Sequence, residues 1–324
     1  MRRVRRVATA LSVISLCAAG AATAQTITLA PVGSIVVPAE FIRIQGDRAY
    51  LAAGMILSIY DISLPASPKS IGSYTFPDRI WGFRVVGSLA YVGVDRSGLG
   101  ILDVSKGTPV LRSLFKTPGQ AKNVAVSGTR ALVTDSLKGI DVVDVSDSAK
   151  PVLAGDVFLD GLATDVVTSG TMAYAADRPT GFYVLDLSKV GPLEPVGTLQ
   201  TAAANNTMRA QLEVLSPSTK GQRRVLLVAG GLLQQFDVTK PESPTKLPPF
   251  ATPGGAQRVA IKDWIVYVAD GQAGVQVVDL SGPDGPKIVG SFKTSSPARD
   301  IAVSASHIFV ALASGEVAIL QQSP

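Results

Sequence analysis

The side chains with the most chemical capacity in this sequence are aspartates, and they recur. Asp61, Asp103, Asp144, Asp186, Asp237 and Asp279 each end a short apolar run and stand two places before a Ser or Thr, as in "LSIYDIS", "IDVVDVS" and "VQVVDLS". A ladder of carboxylates and hydroxyls carries the oxygen donors that a hard cation takes. Their position argues for a different duty, because Asp and Ser/Thr at a strand end cap the backbone N–H groups of the turn that follows. Asp95, Asp135, Asp177 and Asp270 form a second series, each with a glycine within the next few residues ("DRSG", "DGQAG"), which is the composition of a hairpin turn.

Other constellations are thin. His307, in "SASHIF", is the only histidine. A Ser-His-Asp triad would need a nucleophile and an orienting acid beside it, and a zinc site would need further nitrogen or sulfur ligands. No Gly-rich loop follows a strand and opens a helix, so no phosphate cradle is expected. No cofactor is expected.

Residues 1–24 read as a signal peptide. "MRRVRR" is a basic start, "VATALSVISL" is apolar but too short to span a bilayer, and Ala22-Thr23-Ala24 gives the small-residue cleavage pattern before Gln25. Cys17 would allow a lipid anchor, but Leu16 stands where such signals want a small residue. Cleavage would leave residues 25–324 without cysteine, and with 26 basic residues against 25 acidic ones. That balance, with no polybasic run, gives a nucleic-acid partner no electrostatic footing. No apolar stretch beyond the leader approaches membrane-spanning length. The expected location is outside the cytoplasm: periplasmic, extracellular or cell-surface.

The strand-end aspartates are spaced 42, 41, 42, 51 and 42 residues apart, and 42 beyond Asp279 lies Gln321, in "VAILQQS". Within one unit four short runs rich in β-branched residues follow one another, "NVAVSG", "RALVTD", "GIDVVDVS" and "PVLAGDV", with Gly, Pro, Ser and Asp between them. Four strands at this period make a propeller blade. The last unit, from Ala298, has only three runs, which in an open array would leave a bare edge. The fourth is at the other end of the chain: "LAPVGSIVVP" (Leu29–Pro38) matches "PKIVGSFKTSSP" (Pro286–Pro297). Pro31–Val36 should therefore pair with the strand ending near Gln321. The expected fold is all-β, a seven-bladed β-propeller of four-stranded antiparallel blades over residues 25–324, closed by its N-terminal strand.

These units resemble LVIVD repeats, a propeller-forming class found in bacterial and archaeal exported and cell-surface proteins. The resemblance is carried by "GIDVVDVSD" and "GVQVVDLSG" and by the paired runs "AYVGVD…GILDVS" and "VYVADG…GVQVVDLS". It implies a propeller at the cell envelope or beyond. It transfers no active site, since the class carries no common set of catalytic residues.

Function is best sought where equivalent positions differ. At the start of the innermost strands the aligned position reads Phe41, Gly82, Asn123, Asp165, Gln211, Arg258 and Asp300, two places after a small residue in most copies (Ala39, Ala121, Ala163, Ala256, Ala298). The expectation is a polar channel mouth where Asn123, Asp165, Arg258 and Asp300, with the adjacent Arg299, meet a ligand. The unit between Asp186 and Asp237 is nine residues longer than its neighbours. Its extension "QTAAANNTMRA" would bring Asn205, Asn206 and Arg209 to the same face, while "SPSTKGQRR" would lie opposite. Trp81, just before an inner strand, could stack a ligand or pack between blades. Two functions compete. One is a non-catalytic binding or scaffolding propeller that engages a protein, glycan or cell-envelope component. The other is a carboxylate-based hydrolase or lyase, with Asp165, Asp300 and Asn123 holding Ca²⁺ at the mouth. A redox propeller would need cysteine, haem-attachment motifs or metal-binding histidines that the repeats lack.

Overall fold

A computed structural model describes residues 26–136, 139–178, 181–189, 193–200, 211–215, 225–282 and 284–323, leaving aside the side chains of 200, 211–215 and 225–229. The signal-peptide reading of residues 1–24 lies outside this set. The strands form seven four-stranded sheets, all pairings antiparallel. In the third, Ala121–Ser127, Arg130–Asp135, Gly139–Asp144 and Val152–Phe158 lie side by side in chain order from the axis outward. Blades 1, 2, 4 and 6 repeat this order from inner strands Phe41–Gln45, Ile80–Val86, Leu162–Ser169 and Arg258–Lys262. Blade 5 differs: Gln211–Leu215, one long segment Val225–Asp237, then Thr245–Lys246 and Phe250–Ala256 share its sheet.

The seventh blade joins the two ends of the chain. Thr28–Val36 lies outermost, beside Glu316–Ser323, with His307–Leu312 and Ala298–Val303 inside it. The register runs from Thr28 opposite Ser323 to Val36 opposite Glu316, with a bulge between Pro31 and Gly33. The incomplete last repeat thus gains the strand that covers its edge.

Middle strands are buried on both sides because every blade is sandwiched between two others. In Leu89–Val94 and Gly98–Asp103, five of six residues are buried, whereas none of the six in outer strand Val110–Phe115 is. The inner runs therefore read as continuous apolar stretches and do not alternate. Packing between blades supplies the core: Tyr50, Leu57 and Phe76 of the first blade cluster with Phe83, Val92 and Leu102 of the second. Each such side chain, fully buried, contributes about 1.5–3 kcal/mol.

Outer strands are pressed against the segment that leads into the next blade's outer strand. A Cβ on Gly33, Gly197 or Gly290 would overlap the carbonyl oxygen of Pro65, Pro241 or Ile27, and in blade 2 the Ser113 hydroxyl donates to the Ser148 carbonyl at 2.8 Å. The alternating strands leave two faces. The upper face carries the loops leading into the inner strands and the hairpins between second and third strands. The lower face carries the remaining hairpins and the Asp-x-Ser/Thr turns. Among the described residues no helix is long and apolar enough to cross a membrane.

Candidate functional site

The aspartates divide by duty. In all six strand-end copies one carboxylate oxygen accepts the backbone N–H two residues on: Ser63 to Asp61 at 2.8 Å, Ser105 to Asp103 at 2.9 Å, Ser146 to Asp144 at 2.8 Å, Ser188 to Asp186 at 2.9 Å, Thr239 to Asp237 at 2.9 Å and Ser281 to Asp279 at 2.7 Å. They form one turn repeated around the lower face. In the second series, Asp135, Asp177 and Asp270 are buried, unlike the tips of exposed hairpins. Asp177 and Asp270 accept the N–H of Gly161 and Gly254, each at 2.9 Å; the first ties down the loop entering its own blade's inner strand, the second holds the end of the blade 5 strand Phe250–Ala256. Asp95 instead ties two blades together: its carbonyl accepts the Ala121 N–H at 2.9 Å, and its carboxylate lies 3.2 Å from the Lys122 ammonium.

The variable position at the inner-strand start does not form a solvated mouth. Asn123 is 6 % exposed, Asp165 1 %, Arg258 8 % and Asp300 0 %. Asn123 donates through Nδ2 to Asp165 Oδ1, and both side chains also accept the next backbone N–H, from Val124 and Val166, at 2.8 Å. Asp300 accepts the Ile301 N–H at 2.9 Å and, from blade 1, the Ile42 N–H at 3.0 Å and Arg43 Nη1 at 3.1 Å. Arg258 lies over the Phe41 ring, 5.4 Å from its centre. These residues make a buried belt that joins blades near the axis. The physical reason is local backbone geometry: in blades 3, 4 and 7 the strand bulges between the buried alanine and the belt residue, so simple alternation does not set which side is buried. Asn205, Asn206 and Arg209 lie outside the described residues.

One residue earlier, the side chains reach solvent. Glu40, Trp81, Lys122 and Thr164 are partly exposed, and Gln257 and Arg299 are exposed. Of the expected ligand-binding residues described, Arg299 alone belongs to this outer ring. The ring is richest over blades 1–3. Arg79 and Lys122 both lie over the Trp81 indole, 4.9 and 4.2 Å from a ring centre. Arg79 pairs with Glu40 and Lys122 with Asp95. Cation–π contacts at such sites contribute about 0.5–1 kcal/mol each, enough to hold the indole in one orientation. The result is an indole stacked against two cations, each paired in turn with a carboxylate. A second column of unlike, mostly polar residues directly before the belt was the signal that could have identified this ring.

For the cation-dependent alternative, the Asp165 and Asp300 carboxylates are already occupied by the donors named above. Among the described residues no group of three or more His, Cys, Asp or Glu side chains is placed to hold a metal ion. Burial, followed by the hydrogen bond it donates to Asp160 at 2.7 Å, pushes the Tyr183 phenol up to about 12, so it donates and does not serve as a base.

The LVIVD repeat matches residues 38–76, 81–117, 118–158, 160–197 and 253–294. The two blades outside those spans are the lengthened fifth and the composite seventh. No curated protein matches the sequence significantly. Among solved structures, BamB from Moraxella catarrhalis is similar at TM-score 0.60 and 17 % identity, covering 90 % of this chain and 97 % of that one. The computationally designed Ika8 protein gives 0.62 at 9 % identity, covering 92 % and 99 %. A chain of the mitotic checkpoint complex gives 0.69 at 9 % identity, covering 99 % of each. A likeness at such low identity establishes the propeller and leaves the function to the site.

Proposed function

From the fact that this chain belongs to the LVIVD repeat family, we propose that it is an exported, non-catalytic binding or scaffolding propeller whose upper face engages a protein, glycan or cell-envelope component. The observation that carries the reading is the contrast between its two kinds of position. Residues that repeat from blade to blade are consumed by turns and blade contacts, whereas Glu40, Trp81, Lys122, Thr164, Gln257 and Arg299 share one placement, differ in chemistry and face solvent. A rigid scaffold presenting unlike side chains in one plane suits recognition of an extended polar surface. Trp and Arg are the residue types that anchor such contacts. The buried Asn123, Asp165, Arg258 and Asp300 would then act as supports that fix the ring. Asn205, Asn206 and Arg209 would extend the same face.

Export rests on the basic and apolar leader in residues 1–24, and release of a chain beginning at Gln25 would test it by N-terminal sequencing. The site is tested by retention from envelope extract on the immobilised chain. Trp81→Ala, Lys122→Ala and Arg299→Ala combined should abolish specific retention while the melt stays cooperative and falls by only a few degrees, and Lys106→Ala and Lys150→Ala on the lower face should leave retention intact. Retention lost only by the lower-face pair would overturn the assignment.

A further inference from the structure

We propose a second binding site, on the lower face where blades 6, 7 and 1 meet, that takes a peptide C-terminus bearing an apolar side chain. A cavity of about 570 Å³ opens there, within the size range of small-ligand sites. Ile44, Ile62, Ile261 and Val303 supply apolar wall, and Asp47, Lys262 and His307 stand among its polar groups. This proposal is independent of the upper-face reading.

The repeat breaks its own rule at this cavity. In blades 1–4 the hairpin after the inner strand turns on a glycine with positive φ: Gly46 at 56°, Gly87 at 59°, Gly128 at 58° and Gly170 at 60°. Blade 6 places Asp263 there at 55°, directly after the cavity's Lys262. Aspartate is one of the few residues besides glycine that turns accept in this region, and here it adds a carboxylate beside the cavity's rim. Blade 7 closes its hairpin with side chains: the His307 N–H donates to Ser304 Oγ at 3.0 Å, and the Ser306 hydroxyl is bonded to His307 Nδ1 at 2.8 Å. Lys262 reaches across the blade boundary to the Ala305 carbonyl, which uses one of its three donors and directs the ammonium to the blade 7 side of the cavity.

The polar groups select the ligand. The Lys262 ammonium offers its remaining donors to a carboxylate, making a charge-assisted contact. Asp47, contributed by blade 1, is an acceptor and suits the amide N–H one carbon away from that carboxylate. The isoleucines take an apolar side chain. A fatty acid would satisfy Lys262 and the wall but has no N–H to donate to Asp47.

His307 is the only histidine in the sequence, so its imidazole C–H resonances report on the cavity without ambiguity. Titrating the purified chain with Ac-Ala-Leu-OH should move them saturably. Ac-Ala-Leu-NH₂, Lys262→Met and Asp47→Ala should each weaken binding, the first two by at least about tenfold, and Trp81→Ala should leave it unchanged. The proposal fails if no saturable shift appears, if the amide binds as well as the acid, if Lys262→Met has no effect, or if decanoate binds and the peptide does not. None of these failures touches the upper face.

Discussion

Asp263 is the clearest single-residue departure from the repeat, because four blades answer the same turn with glycine. Holding an L-residue in the left-handed region costs about 1–2 kcal/mol, while glycine's extra freedom in the unfolded chain returns about 0.4–1 kcal/mol. Strain outweighs entropy, so Asp263→Gly should raise stability by about 0.5 kcal/mol, read as a higher urea midpoint at unchanged slope. A lower midpoint would show that the carboxylate makes a stabilising contact beyond its turn. The strand-end aspartates act through charge. The hydroxyls of Ser63, Ser105 and Ser188 and the backbone N–H of Ser146 hold the carboxyls of Asp61, Asp103, Asp186 and Asp144 below the usual carboxylate range. In the unfolded chain these groups titrate near pH ~3.9. Folded values below unfolded ones mean that the contribution is complete above the unfolded value and is lost as the pH falls through the folded ones. The urea midpoint should therefore decline below about pH 4, and Asp→Asn at all four positions should flatten that decline. The same steepness in the fourfold variant would assign the acid sensitivity to other groups. Each contribution is small because the groups are solvent-facing.

At the scale of the element, the outer strand is where blades are latched. Gly33 and Gly290 sit where a Cβ would meet a neighbouring carbonyl, whereas at Gly107 a Cβ would have only an ordinary contact with Ile71 at 3.6 Å. Overpacking of this kind costs about 1–3 kcal/mol. Gly290→Ala and Gly33→Ala should lower the melting temperature, and Gly107→Ala should leave it nearly unchanged. Equal effects at all three sites would show that the latch is not a steric one. The inner strand carries the lesson about legibility. Its variable position was visible as a column of unlike residues, Phe41 to Asp300, but their exposure was not, because a shift of one residue along a strand exchanges the buried and the solvent side. Counting from the alanines two places earlier does not recover it, because the strand bulges between the two positions in blades 3, 4 and 7. Burial of Asn123 and Asp165 follows from the bonds they make to each other and to Val124 and Val166, which no spacing rule reveals.

At the scale of the molecule, ring closure makes the two ends of the chain one blade. Removing residues 26–36 should strip Glu316–Ser323 of its outer partner, and the variant should aggregate or lose its cooperative melt. A monomeric product with an unaltered melting temperature would contradict closure. Because Thr28 lies opposite Ser323, a short linker joining the ends, with new ends opened in the Lys293–Pro297 loop, makes blade 7 continuous and should be tolerated. The architecture was legible before any coordinates. A period near 42, four β-type runs per unit, a last unit short of one run and a matching run at Leu29–Pro38 leave little besides a closed seven-bladed ring, since local periodicity and strand count are properties of the chain itself. The turn aspartates were legible for the same reason, as each meets a partner two residues away. What tertiary structure alone decided is which chemically varied residues face water. The contacts that bury Asp300 come from blade 1, more than 250 residues away, and the cavity beside His307 is assembled from three blades. Exposure and cavities are properties of distant segments brought together, and they exist only once the ring has closed.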